Sequence, residues 1–121
     1  MSPHASRRPR AAAVEVTGGI VPLACLSWVI NAAYGALIAT GAVRRRRTRW
    51  VHHALFIATS TLTGLSLLAA LVERRDVAVV LLPAAAAMAA MPATRGGTAQ
   101  HTALALSAAP WYASAVMMVR R

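Results

Sequence analysis

The chain contains no lysine, only three acidic residues and a single cysteine. Each shortage removes a class of explanation. The lone Cys25 excludes an intramolecular disulfide, and a thiol inside an apolar run says nothing about redox compartment. With Glu15, Glu73 and Asp76 as the only acids, carboxylate metal sites and carboxylate acid/base catalysis have few candidates. No Ser-His-Asp set, phosphate-cradling glycine loop, HExxH or CxxC spacing occurs, so the sequence leans away from an enzyme. Charge is scarce too. Charged residues make up 13% of the chain and apolar ones 58%, with a mean hydropathy of +0.55. Soluble domains carry roughly 25% and 45–50% respectively. The difference implies a surface that largely faces hydrocarbon.

What the sequence does have is arginine, which alone supplies the formal net charge of +10. In a soluble protein that excess points to nucleic acid. Here the arginines stand in groups between apolar runs, the pattern that marks span ends and anionic headgroups. Membrane lipids, and not nucleic acid, are the expected partners. Arginine without lysine and alanine-rich spans suggest a high-GC bacterial genome, and hence a multi-pass protein of a bacterial cell membrane.

Residues 1–17, with Pro3, Arg7, Arg8, Pro9 and Arg10, read as a flexible basic tail. Ser6-Arg7-Arg8 resembles a twin-arginine export signal, but Glu15 interrupts the stretch after it and the apolar run outlasts any signal peptide. Leu23-Ala24-Cys25 hints at a lipoprotein cleavage site, yet Trp28-Val29-Ile30 stands where a soluble domain would begin. A first span is the remaining reading. Spans are expected at about 18–43, 51–72, 77–93 and 99–119, each near the 20 residues that cross a bilayer. The block Arg44-Arg45-Arg46-Arg47-Thr48-Arg49-Trp50 separates the first two as a loop, and Glu73-Arg74-Arg75-Asp76 turns the second into the third. The third is short, alanine-rich and interrupted by Pro83; its small residues favour a closely packed position. The alternative leaves it as a re-entrant or interfacial hairpin. The expected fold is therefore an all-α membrane protein, a four-helix antiparallel transmembrane bundle with short loops.

Such a bundle puts Arg44, Arg45, Arg46, Arg47, Arg49 and Arg95 on one face, here the loop face. Arg7, Arg8, Arg10, Arg74, Arg75, Arg120 and Arg121 fall on the other, the termini face. Six against seven gives the positive-inside rule no purchase. All three acids lie on the termini face, so the net charges are +6 and 7 − 3 = +4. The acid-free loop tilts the reading toward a cytoplasmic loop face, with dual topology as the alternative.

The histidines outside the tail, His52, His53 and His101, fall on the loop face with Arg49, Trp50 and Arg95. His53 and His101 on separate helices at one depth suit axial haem ligation or a transition metal. Gly64, Ser60 and the alanines of the third span can line a haem cavity. The same cluster suits a phosphate or carboxylate headgroup, and it also suits plain border residues. On the second span His52, Thr59, Thr63, Ser66 and Glu73 share one helical face, which either lines a hydrated path or fastens neighbouring helices. Asn31, with Ser27 and Gly35 on its face and Trp28 and Tyr34 nearby, must point into the bundle, as helix glue or as a substrate contact. Pro83 and Pro110 free the carbonyls of Val79 and Leu106 and are expected to kink their helices.

Ala13-Val14-Glu15-Val16-Thr17-Gly18 resembles the start of the small multidrug resistance transporters, four-span proteins that work in dual-topology pairs around a membrane-embedded glutamate. The resemblance implies proton coupling at Glu15 and a small dual-topology transporter. It covers six residues, Glu15 precedes the apolar run, and the aromatic and charge pattern of that family's later spans has no counterpart. The leading expectation is a non-catalytic membrane subunit or a lipid- or small-molecule-binding module, as a homo-oligomer or within a larger complex. A haem- or metal-binding redox protein and a small transporter are the alternatives.

Overall fold

Hydrocarbon offers the peptide group no partner, so an apolar run that enters it as a single segment satisfies its backbone by becoming a helix. A computed structural model describes residues 15–121, with the backbone alone at Arg45 and Arg47, and the described residues are helical between short turns. Helix α1 spans Thr17–Ala39, α2 Arg45–Glu73 and α3 Arg75–Ala90, which runs into a 3-10 turn at Met91–Ala93. The fourth span is split into α4, Ala99–Ser107, and α5, Ala109–Val119. Four helical stretches are long and apolar enough to cross a membrane: Thr17–Ala39, Thr48–Glu73, Arg75–Ala93 and Ala99–Val119. The basic tail lies outside the described residues except for Glu15, Val16 and Thr17, and Thr17 already belongs to α1.

The bundle is inside-out. Val21 and Ala24 of α1, Thr59, Thr63, Ser66 and Ala70 of α2, and Tyr112 and Ala115 of α5 are buried. Leu23, Leu26, Ile57, Leu65, Leu68, Leu71 and Val72 are exposed. In water that arrangement would strand large apolar side chains; in lipid it puts them against acyl chains and hides the hydroxyls. This fold is a four-span helical membrane protein, and its outer surface is in contact with lipid.

Each helix packs on the next: α1 on α2, α2 on α3, α3 on both halves of the fourth span. Helix α5 returns to α1, which closes a four-sided ring with α2 diagonal to the fourth span. Helix α3 is the most enclosed of the four, burying Val77, Ala78, Leu81, Ala84, Ala87 and Met88 at helical spacing. It is a full helix, not a re-entrant hairpin.

Two boundaries differ from the sequence expectation. The arginine block does not form a loop: α1 stops at Ala39, Gly41 turns the chain at φ +77°, and Arg45 opens α2. Arginine is a good helix former, and at 29 residues α2 is about 43 Å long, longer than the roughly 30 Å of hydrocarbon. The excess length puts its first turns in the headgroup layer, where the exposed Arg46 and Arg49 stay hydrated. The prolines also behave differently from one another. The fourth span breaks at Ala108, two residues before Pro110, whereas α3 continues through Pro83 and α1 through Pro22. Membrane helices tolerate a proline where local adjustment re-satisfies the freed carbonyl.

At the termini face one carboxylate does the work of a missing cap. Val16 precedes α1 and has no side chain able to accept from the first amides. Glu73, at the far end of α2, takes that place: the Val16 and Thr17 amides donate to its oxygens at 3.1 and 2.8 Å, and Thr17 Oγ1 at 2.6 Å. Next to it Arg74, the sole residue between α2 and α3, reaches Glu15 at 3.4 Å, Asp76 at 3.3 Å and the Met118 carbonyl at 3.5 Å. The start of α1, the α2–α3 turn and the end of α5 are thereby tied together. Glu73→Ala is expected to lower the thermal unfolding midpoint and to speed hydrogen exchange at the Val16 and Thr17 amides, with Glu73→Gln intermediate. Unchanged exchange in Glu73→Ala would count against the cap.

Candidate functional site

The polar face of α2 is a seam between helices. Thr59 Oγ1 lies 2.7 Å from Ser27 Oγ of α1. Thr63 Oγ1 donates to the Thr59 carbonyl at 2.7 Å and meets the Tyr112 hydroxyl of α5 at 2.5 Å across the diagonal of the ring. A hydroxyl that donates backwards along its own helix still accepts, so Tyr112 is the donor in that pair. Tyr112 packs against the Trp28 ring at 5.6 Å between centroids, and the Trp28 indole donates to the Ala105 carbonyl, three residues before the break in the fourth span, at 3.2 Å. Toward the loop face His52 stacks on Tyr34 at 6.3 Å, and the Tyr34 hydroxyl reaches the Thr48 carbonyl at 3.4 Å. Thus His52, Thr59, Thr63 and Glu73 each touch α1 or α5.

Among the described residues, three polar atoms in the membrane interior are enclosed without a hydrogen-bond partner: Asn31 Oδ1, Ser60 Oγ and Ser66 Oγ. The pairings Ser27 with Thr59 and Tyr34 with His52 set the antiparallel register of α1 on α2. That register places Asn31 beside residues 55–56, where Leu55 and Phe56 give its amide nothing to bond. Ser60 stands on the wall of a cleft of about 270 Å³ between α2 and α3, lined by Phe56, Ser60, Thr63, Gly64, Ala85, Met88, Ala89 and Pro92. The cleft is open on one side. Gly64 is exposed at the mouth of the cleft, and a Cβ added there would meet nothing within 4 Å. Helix α3 causes the cleft: after Asp76 it carries no polar side chain, and its alanines leave the α2 wall uncovered.

The loop-face residues are spread around the bundle. His52 is half-buried against α1, and His53, the next residue, is exposed. His101 is half-buried on α4 with its Nδ1 at 2.8 Å from Thr94 Oγ1, while Thr98 caps α4 by accepting from the His101 amide at 3.2 Å. His53 and His101 therefore stand on helices that are diagonal in the ring. Among the described residues no group of three or more His, Cys, Asp or Glu side chains converges on a metal position. Arg49, Trp50 and Arg95 are exposed. Glu15 is half-exposed at the termini face, before α1, and is paired with Arg74.

Sequence reasoning does not single out Tyr112, which is wholly buried and closes the seam. Its signal is the lone phenol in the fourth span, a group that needs a partner in hydrocarbon. No protein-family model matches this chain, and no curated protein or solved structure shows significant similarity to it. What the protein does has to be read from its own residues.

Thr63→Val strands the buried Tyr112 hydroxyl, whereas Tyr112→Phe leaves Thr63 its bond to the Thr59 carbonyl and removes only the bond between helices. Thr63→Val is expected to cost about 1–3 kcal/mol and Tyr112→Phe about 0.5–1.5 kcal/mol in equilibrium unfolding from detergent or bicelles. The double variant should cost less than the sum, with a coupling of about 0.6–1.7 kcal/mol, the range of hydrogen bonds between membrane helices. Strict additivity would show that the two hydroxyls do not bond.

Proposed function

We propose that this membrane protein is a non-catalytic module that receives a lipid chain or another small amphipathic molecule between α2 and α3. One observation carries the reading: a part-open cleft between the middle of α2 and the loop-face end of α3, with the enclosed and unpartnered Ser60 hydroxyl on its wall. Sites that swallow drug-sized ligands occupy roughly 300–1,000 Å³. At about 270 Å³ and open to the side, this one suits part of a chain that stays continuous with the surrounding lipid. The apolar lining from Phe56, Met88 and the alanines binds a chain without direction, which suits an acyl tail. The seam supports this role: Thr63 belongs both to the cleft wall and to the hydrogen bonds that fasten α2 to α5, which ties that wall to the bundle.

Gly64→Leu tests the proposal, because a Cβ is accommodated there without a clash and the longer side chain adds bulk at the cleft. Wild-type protein carried through detergent exchange should retain lipid detectable by native mass spectrometry. Gly64→Leu, and independently Ala89→Leu, should lower the retained fraction several-fold with the unfolding midpoint preserved. Equal retention in wild type and both variants would refute the cleft as the binding place.

A further inference from the structure

We infer that the occupant of the cleft is an anionic phospholipid, with one acyl chain between α2 and α3 and its phosphate held at the loop face by Arg49 and Arg95. The inference rests on the cleft being a binding site and adds the chemistry of what binds. Both walls of the cleft lead to an arginine. On α2 the uppermost lining residue is Phe56, and Arg49 lies seven residues before it, two turns up the same helical face. On the other wall the last lining residue is Pro92, and Arg95 comes three positions later in the connection to α4. Arg49 and Arg95 are both exposed, and the exposed His53 lies on the α2 side between Arg49 and the cleft.

The distances suit a phospholipid. Seven helical residues rise about 10 Å, comparable with the interfacial layer of roughly 5–8 Å that separates phosphates from hydrocarbon on each side of a bilayer. A chain hanging from a phosphate at Arg49 therefore enters the cleft near Phe56 and passes Ser60 and Gly64.

Charge selects the headgroup. At the termini face Arg74 is neutralised by Glu15 and Asp76. The loop face has no carboxylate at all, because every acid in the chain is Glu15, Glu73 or Asp76. Arg44, Arg46, Arg49 and Arg95 are exposed there. The N-terminal ends of α2 and α4 stand at this face beside the C-terminal ends of α1 and α3, so the helix dipoles largely offset one another and the arginines set its charge. Compensation has to come from outside the chain. A zwitterionic headgroup brings its own cation and supplies little; a net-negative phosphodiester supplies it directly, in the geometry that guanidinium groups bind best.

The test compares retention of phosphatidylglycerol and phosphatidylcholine with matched chains by the full-length protein in mixed nanodiscs and after extraction. Wild type is expected to favour phosphatidylglycerol on the order of tenfold, given what each basic residue contributes near an anionic headgroup. Arg49→Gln with Arg95→Gln should bring the two lipids within about twofold while lipid is still retained, and Arg95→Gln alone should fall between. Arg120→Gln with Arg121→Gln, the same charge removed from the opposite face, should keep the wild-type preference. Retention without headgroup preference in the wild type would overturn this inference and leave the cleft reading intact. No retained lipid of either kind would overturn the cleft reading itself. Equal erosion by the two double variants would assign the preference to diffuse charge and overturn the site.

Discussion

The membrane interior gives no hydrogen bonds, and nearly every feature of this bundle answers that one constraint. Backbone demand is met by helices. Side-chain demand is met by turning the hydroxyls of Thr59, Thr63 and Ser66 inward, so the buried face of α2 is Thr59, Thr63, Ser66 and Ala70 while Leu65, Leu68 and Leu71 face out. Such a core has little packing volume, and its stability cannot come from squeezing out water, because lipid is as apolar as leucine. Close approach of small residues and a few directed bonds have to suffice. Ser27 with Thr59, Thr63 with Tyr112 and Glu73 with Thr17 are those bonds, and they fall along α2 from mid-membrane to its end.

Helix α3 meets the constraint differently. Its sequence from Val77 to Ala93 has no hydroxyl or amide side chain to offer, so it takes no part in the seam. It is held by the single-residue turn at Arg74 and by packing of its alanines and Leu81. Alanine permits close contact but cannot fill space beyond its own methyl group. Where α2 presents Gly64 and Ser60 to it, two short surfaces face each other and a void results. The cleft is thus a direct outcome of composition: a polar, small-residue helix face set against a helix made largely of alanine.

The fold was legible because lipid imposes a one-dimensional signal, long apolar runs with arginine at their ends, and that signal located all four spans. Boundaries were less legible. Apolarity marks where hydrocarbon stops, not where helix stops, so Arg45 to Arg49 read as loop although they are helical. The site was half legible. A period of three and four residues shows that Thr59, Thr63 and Ser66 share a face, but not which helix they meet. Partner and depth depend on ring order and register, which put Tyr112 opposite Thr63 and left Asn31 beside Leu55 and Phe56. The spacing of His53 and His101 suggested a shared depth, yet ring order sets them on a diagonal. Ser60 and Gly64 were visible as small residues; the empty space beside them arises only from how α3 packs.

The two ends of the bundle use the same residue for opposite purposes. At the termini face one arginine is an internal fastener: Arg74 sits among Glu15, Asp76 and the Met118 carbonyl, and Glu73 is occupied by the start of α1, while Arg75, Arg120 and Arg121 are exposed. Charges satisfied this way have little left to offer a ligand. At the loop face arginine has no carboxylate to pair with. An exposed cluster of one sign held on a rigid helix is poor glue, since like charges repel and gain nothing from one another. It is well suited to gripping something negative from outside. The polarity of the bundle therefore runs along its axis, with cohesion concentrated where the acids are and acid-free positive charge at the other end, on the side of the cleft between α2 and α3.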